Sequence, residues 1–218
     1  SSDLVWSILS YGACIWGHRE VSYVNAVHHR AMRFFLGVGK YAPNVAVNGD
    51  MGWIPPIARQ WVCIVRQFYR FQKMPFRLNK YVFMWSERCA SGRVRNWNYR
   101  VNAKLKAWKD VCVKRVCERV RDICMEKYVS DWYELLCKPS GRTGGNKLRT
   151  YRMFKDVYGC ESYVSMSMPR SYRSAFSKFR SGTAPLRLET GRYTNESVDE
   201  RVCFHCSQSV EDERHVIL

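Results

Sequence analysis

From residue 3 to residue 180 the apolar side chains recur mostly at three- and four-residue intervals, a spacing that commits the chain to amphipathic helices. Ile57, Trp61, Ile64, Phe68 and Phe71 mark one face of a helix running from Ile57 to about Lys73. Asp3 to Trp16 forms a helix with Leu4, Ile8, Tyr11 and Ile15 on one side, with Gly12 as its weak point and Gly17 as its stop. A second helix, Glu20 to Leu36, carries Val24, Val27, Ala31 and Phe34 or Phe35 on one face. Lys40 to Pro56 is turn-rich, because of its prolines and glycines, with one short helix from Pro43 to Asp50. The longest pattern, Arg100 to Leu136, has Val101, Leu105, Trp108, Cys112, Val116 and Ile123 as its stripe. Pro139 to Gly145 is a linker, and Pro169 opens a helix to Arg180 that buries Tyr172, Ala175, Phe176 and Phe179. Only Leu186 to Glu189 alternates in the manner of a strand. The expected fold is mainly α: a helical bundle and a long basic helix, then a small α+β carboxy-terminal region.

These helices carry a basic coat. Lys and Arg number 36 against 19 Asp and Glu, a formal charge of +17 over 218 residues. Such an excess points to a polyanion as partner, first RNA and DNA, second a membrane surface. No apolar run approaches the ~20 residues that span a bilayer, so no membrane partner is expected. The bases that the helical pattern leaves outside the apolar stripes are Arg59, Arg66 and Arg70, then Lys104, Lys109, Lys114, Arg115 and Arg121, then Arg170, Arg173 and Arg180. These are the candidate phosphate contacts. The aromatic residues between Ile57 and Phe71 suit base stacking, but their helical spacing fits a buried core better.

Ten cysteines at irregular spacing do not form a secreted disulfide framework, and an intracellular setting, nucleus and cytoplasm, is expected. Cys14, Cys63, Cys112, Cys117, Cys124 and Cys137 sit among apolar residues and read as small buried hydrophobes. His28 and His29, adjacent in a helix, have no acid or thiol beside them in sequence to make a proton-transfer or metal site. Cys203 and Cys206 differ. Two residues separate them, and His215 follows nine positions after the second, which gives three donors of the kind that zinc takes in tetrahedral sites. A fourth is missing before the sequence stops at Leu218. Together with a start at Ser1-Ser2-Asp3 that runs at once into apolar residues, this suggests a fragment of a longer protein.

A set of ordered motifs narrows the reading. Leu9-Ser-Tyr11-Gly12 with Trp16-Gly17, Phe34-Phe-Leu36, Pro43-Asn-x-Ala46-Val and Gly49-Asp-Met-Gly52-Trp-Ile-Pro55 come first. Lys147-Leu-Arg-Thr-Tyr151, Tyr163, Phe179-Arg180-Ser-Gly182, Leu188-Glu-Thr-Gly191-Arg-Tyr193, Glu200-Arg-Val-Cys203-x-x-Cys206 and Val210-Glu-Asp-Glu213-x-His215 follow. In this order they resemble the carboxy-terminal region of non-LTR (LINE-type) retrotransposon reverse transcriptases, over nearly the whole chain except a weakly matched middle from about residue 75 to 145.

The resemblance implies a thumb-like helical region at 1–74, a basic connector at 75–145, and a carboxy-terminal region at 146–218 with an incomplete zinc knuckle. It implies zinc on Cys203, Cys206 and His215, completed by a Cys beyond the His. Magnesium belongs to palm aspartates, two of them adjacent, and no Asp-Asp pair occurs here. The chain is therefore expected to grip RNA and DNA without catalysing their synthesis and to bind no small-molecule substrate. Two other classes fit the same composition: a cellular helical adaptor that meets acidic proteins, and a stand-alone RNA-binding factor.

Overall fold

Proline and glycine set the ends of several helices in this mainly α protein. The structure is a computed structural model and describes residues 2–90, 93–106, 112–138 and 147–217. In chain order its helices are α1 (Ser2–Leu9), α2 (Ala13–Trp16), α3 (Ser22–Leu36), α4 (Asn44–Met51), α5 (Pro56–Lys73), α6 (Leu78–Arg88) and α7 (Trp97–Leu105). After these come α8 (Val113–Cys137), α9 (Tyr151–Phe154), α10 (Ser162–Ser165), α11 (Arg170–Arg180), α12 (Arg187–Thr190) and α13 (Glu213–Ile217). Among the described residues the only β pairing is an isolated antiparallel bridge between Val202 and Val210, so the carboxy-terminal region has no sheet there. Leu186 to Glu189, read as alternating, instead contributes to the one-turn helix α12.

The chain divides into two compact units, one of residues 1–26 with 54–128 and the other of residues 27–53 with 129–218. The expected regions, 1–74, 75–145 and 146–218, cut the chain differently. The reason lies in α4, which belongs to the first of those regions but packs with Trp132, Tyr151 and Tyr163 in two apolar clusters. The linker at 139–145 lies outside the described residues.

In the first unit α5 is the central helix. Pro56 occupies its first turn, where a missing N–H costs nothing, and Ala58, Trp61, Ile64, Val65 and Phe68 face the core. Phe83 of α6, Val101 and Leu105 of α7, and Val116, Cys117, Val120 and Cys124 of α8 complete that core. Ile64, Val65, Val101 and Val120 are fully buried, each contributing on the order of 1.5–3 kcal/mol of transfer free energy. Phe68 and Phe71 meet the Phe83 ring at 5.7 and 5.5 Å between centroids, so the aromatics of α5 serve packing as expected. Asn96 caps α7 by accepting the Tyr99 N–H at 2.9 Å.

Two expected helices change here, and one unexpected helix is present. Asp3 to Trp16 is two helices, because Gly12 takes φ +66 between them and the break turns Ile8, Tyr11 and Ile15 outward. The long pattern from Arg100 becomes α7 and α8, with residues 107–111, including Trp108 and Lys109, outside the described residues. On α8 the buried face runs through Val116, Cys117, Val120 and Cys124, while Cys112 is exposed. Helix α6 is absent from the sequence reading altogether.

In the second unit, Met32, Leu36, Val38, Ala42, Val47 and Met51 pack with Tyr163 and Val164. Ala46 packs with Trp132, Leu136, Leu148 and Tyr151. Within α3 the buried positions are Val24, His28, Met32 and Leu36, so Val27 and Phe34, expected inside, lie outside. A histidine at a buried position displaced the face by one place, with His28 packing at 5.6 Å from the Trp53 ring. Helix α4 ends at Gly52, whose φ of +57 only glycine adopts without strain. Helix α11 starts after Pro169, but the face it buries is not the aromatic one: Tyr172 and Phe176 are exposed, and Ser177 and Arg180 are buried.

Candidate metal centre and nucleic-acid surfaces

The segment 201–217 folds back on itself so that three donors converge. The Val202–Val210 bridge closes its base, the Cys203 N–H donates to the Ser209 carbonyl at 2.9 Å, and the Ser207 N–H donates to the Cys203 carbonyl at 2.8 Å. Ser207 completes the turn with φ +56. Helix α13 then returns the chain, its N-terminus capped by Asp212, which accepts the His215 N–H at 2.8 Å. Sγ of Cys203, Sγ of Cys206 and a ring nitrogen of His215 lie within 4.8 Å of one another and can hold a metal ion. Among the described residues they are the only group of this kind.

Backbone donors face both sulfurs. The His205 N–H points at Cys203 Sγ (3.4 Å) and the Gln208 N–H at Cys206 Sγ (3.5 Å). The backbone N–H groups of Gln208 and Ser209, with His215 nearby, bring the Cys206 thiol down to about 7. Nε2 of His215 faces Cys206 Sγ at 3.4 Å, while its Nδ1 is held by the Ser209 hydroxyl at 2.9 Å. A bond of that kind on the second ring nitrogen orients a metal-ligating histidine. His205 is outside the donor group, and only its backbone serves a sulfur.

The centre is anchored from behind by charge. Glu213, the first residue of α13, is 1% exposed; Arg149 donates to it through Nη2 (2.6 Å) and Nε (3.0 Å), and Thr150 through its hydroxyl (3.0 Å). The same Arg149 reaches Glu189 of α12 at 3.0 Å, and Glu189 also pairs with Arg192 at 3.0 Å. Arg201, next but one to Cys203, is buried and donates to the Leu188 carbonyl at 2.9 Å.

The expected phosphate contacts do not share one environment. Arg66, Arg70, Lys104, Lys114, Arg115 and Arg121 are exposed, as a solvent-facing basic surface requires. Arg66 of α5 and Lys114 and Arg121 of α8 line one open groove in the first unit, with Val62, Val113, Cys117 and Glu118. Arg59 is half-buried and stacks over the Trp6 ring at 5.6 Å, and Lys104 lies 5.5 Å above Trp61. Lys109 lies outside the described residues. In the second unit Arg170 is exposed and stacks on Phe34 at 4.5 Å, and Arg173 is half-buried over Phe35 at 5.0 Å.

Arg180 corrects the expectation outright. It is buried, and its Nε and Nη2 meet the two Asp50 oxygens at 3.0 and 2.9 Å, so it faces a carboxylate inside the protein rather than phosphate outside. Tyr151 and Tyr163 donate their hydroxyls to the same carboxylate at 2.9 and 2.7 Å, and Glu161 lies 3.4 Å from the guanidinium. Lys155, also buried, pairs with Glu161 and donates to the Gly159 carbonyl at 3.0 Å. The rings of Phe154 and Tyr163 lie against Arg180 at 4.5 and 5.5 Å. Sequence reading missed Asp50 as the centre of this network, for no local pattern marks a partner 130 residues away.

Other predicted features resolve simply. Cys117 and Cys124 are buried, and burial pushes both thiols up; Cys112, just ahead of α8, and Cys137, its last residue, are at the surface, against expectation. Burial, with Arg33 beside it, lowers the pKa of His29 and keeps its ring neutral. Among the described residues no helix is long and apolar enough to cross a membrane. Searches of protein-family models, curated proteins and solved structures each return no match to this chain.

Proposed function

We propose that this chain is a non-catalytic, nucleic-acid-binding segment of a non-LTR (LINE-type) retrotransposon reverse transcriptase. It grips template RNA and nascent DNA through phosphate contacts. The observation that carries the reading is the groove in which Arg66 of α5 meets Lys114 and Arg121 of α8, on a chain of net charge +17. Bases 48 and more residues apart in sequence converge there on one surface with a single acid, Glu118. The ordered motifs from Leu9 to His215 support the family.

Zinc is the ion that this donor set favours. Two thiolates and an imidazole are its usual structural ligands, and a d¹⁰ ion supplies tetrahedral cross-linking without redox chemistry. Cys203, Cys206 and His215 would hold it, and its effect would be to fix the 201–217 fold rather than to activate water. Loading with Co²⁺ should give thiolate-to-metal absorption that Cys206→Ser abolishes; its absence from the parent chain would sink the assignment.

The phosphate-contact reading is tested by fluorescence anisotropy with a labelled RNA at a series of salt concentrations. The expected plot of log affinity against log salt is linear and steep, with a slope of about −0.7 for each phosphate neutralised on a single strand. A flat plot would remove the reading. Arg66→Ala with Arg121→Ala should reduce both the affinity and the slope.

A second reading, a helical adaptor for a protein partner, draws on exposed Leu78, Tyr81, Val82 and Trp85 around α6. Salt-independent capture of an acidic protein, with no RNA binding, would favour it.

A further inference from the structure

Phe34, Tyr41 and Tyr193 of the second unit are large aromatic side chains left 70%, 64% and 78% exposed. Each lies beside a recess lined by bases. One recess is formed by Arg33, Phe34, Gly37, Gly39, Arg170 and Lys178, at the end of α3 and along α11. The other is formed by Gly39, Tyr41, Lys147, Lys178, Pro185 and Tyr193, among others. Gly39 and Lys178 line both, so the two recesses adjoin across these residues as a two-part trough.

The chemistry of the trough is uniform along its length. Arg33, Arg170, Lys178 and Lys147 supply positive charge. The one acid on its wall, Glu189, is buried and already paired with Arg149 and Arg192 at 3.0 Å. Arg170 lies 4.5 Å over the Phe34 ring, and Lys40 and Lys147 lie 5.0 and 5.6 Å from the Tyr41 ring. These cations are thereby aligned with aromatic planes, an arrangement that accepts a base on the ring and its phosphate on the neighbouring charge.

We propose that this trough binds single-stranded nucleic acid, with unpaired bases stacking on Phe34, Tyr41 and Tyr193 and the backbone following Lys178, Arg170 and Lys147. The proposal rests on the nucleic-acid reading above but concerns a different surface, in the second unit, and a narrower ligand. Duplex offers no free base faces to three exposed rings. A smooth run of bases without aromatics would suit duplex phosphates better.

Gly39 gives a clean test. A Cβ built at this position meets nothing within 4 Å, and the residue lines both recesses, so a larger side chain there stands at the wall of the trough without disturbing the core. The full chain, in wild-type form and as Gly39→Glu, Gly39→Lys and the pair Phe34→Ala with Tyr193→Ala, is titrated against a 12-nucleotide oligouridine strand and against an RNA duplex of equal length. Circular dichroism verifies that each variant folds.

The expected result is that Gly39→Glu weakens oligouridine binding about tenfold or more, Gly39→Lys does not, and the aromatic pair weakens it by at least tenfold while leaving duplex binding within about twofold. If the wild type binds oligouridine and neither Gly39→Glu nor the aromatic pair changes that, the trough is not the site, and the groove of the first unit stands alone. Equal losses for strand and duplex in the aromatic pair would also overturn the single-strand assignment. If the wild type binds neither RNA, the broader nucleic-acid reading fails as well.

Discussion

The Asp50 carboxylate accepts from Arg180, Tyr151 and Tyr163 at once, all of them buried. Removing one partner of such a pair leaves a charge without compensation. Asp50→Ala should therefore destabilise the chain by about 3–5 kcal/mol in urea titration, whereas Asp50→Leu combined with Arg180→Met should cost less than the single change. The two phenols give a pH signature. Burial, with the Asp50 carboxylate nearby, pushes both well above their ordinary value of 10. A group whose folded pKa is raised keeps its full contribution below the unfolded pKa and loses it as pH climbs beyond, so these tyrosines leave stability unaffected up to about pH 10 and lower it above that. Urea midpoints measured from pH 8 to 11 should fall at the alkaline end, and less steeply in Tyr151→Phe with Tyr163→Phe. At this scale Cys203, Cys206 and His215 were legible because their chemistry is local: thirteen consecutive positions carry the donors and the turn. The partnership of Asp50 with Arg180 was not, because an arginine in a helix looks the same whether it meets water or a buried carboxylate.

Among the elements, α5 was nearly legible to the residue, since a proline start and an unbroken apolar stripe agree with each other. Helix α3 was found with the wrong face, because polar His28 holds a core position that hydrophobic periodicity assigns to an apolar residue. A single helix through Gly12 fits the periodicity, which cannot decide between a tolerated glycine and one in the left-handed conformation. Helix α4 supplies the sharpest prediction. Gly52 has φ +57, and a Cβ there lies 2.2 Å from the Cys160 nitrogen and 2.5 Å from the Gly159 carbonyl carbon, both backbone atoms that have no flexible side chain to move aside. Gly52→Ala should lower stability by about 2 kcal/mol or more in thermal unfolding. Gly39→Ala, which meets nothing within 4 Å, is the matched control and should change little.

For the whole molecule, the predominance of helix follows from periodicity, but the partition into two units does not. Each unit draws on two stretches of sequence, and the contacts that define them, such as α4 with Tyr151 and Tyr163, are nonlocal. Function at this scale is predicted to be binding alone. A primer-extension assay with Mg²⁺ and deoxynucleotides should show no incorporation by this chain, whose sequence has no adjacent aspartates to clamp two metal ions. The interleaving also has a consequence for how the protein is made. Asp50 leaves the ribosome 130 residues before Arg180, an interval of about 7 to 26 s at ordinary rates of synthesis. During that time the second unit carries an aspartate that no arginine has yet arrived to neutralise, while the 54–128 stretch of the first unit is completed. Translation therefore imposes an order of assembly in which the half-built second unit stays open and vulnerable to proteases and chaperones until the last third of the chain emerges.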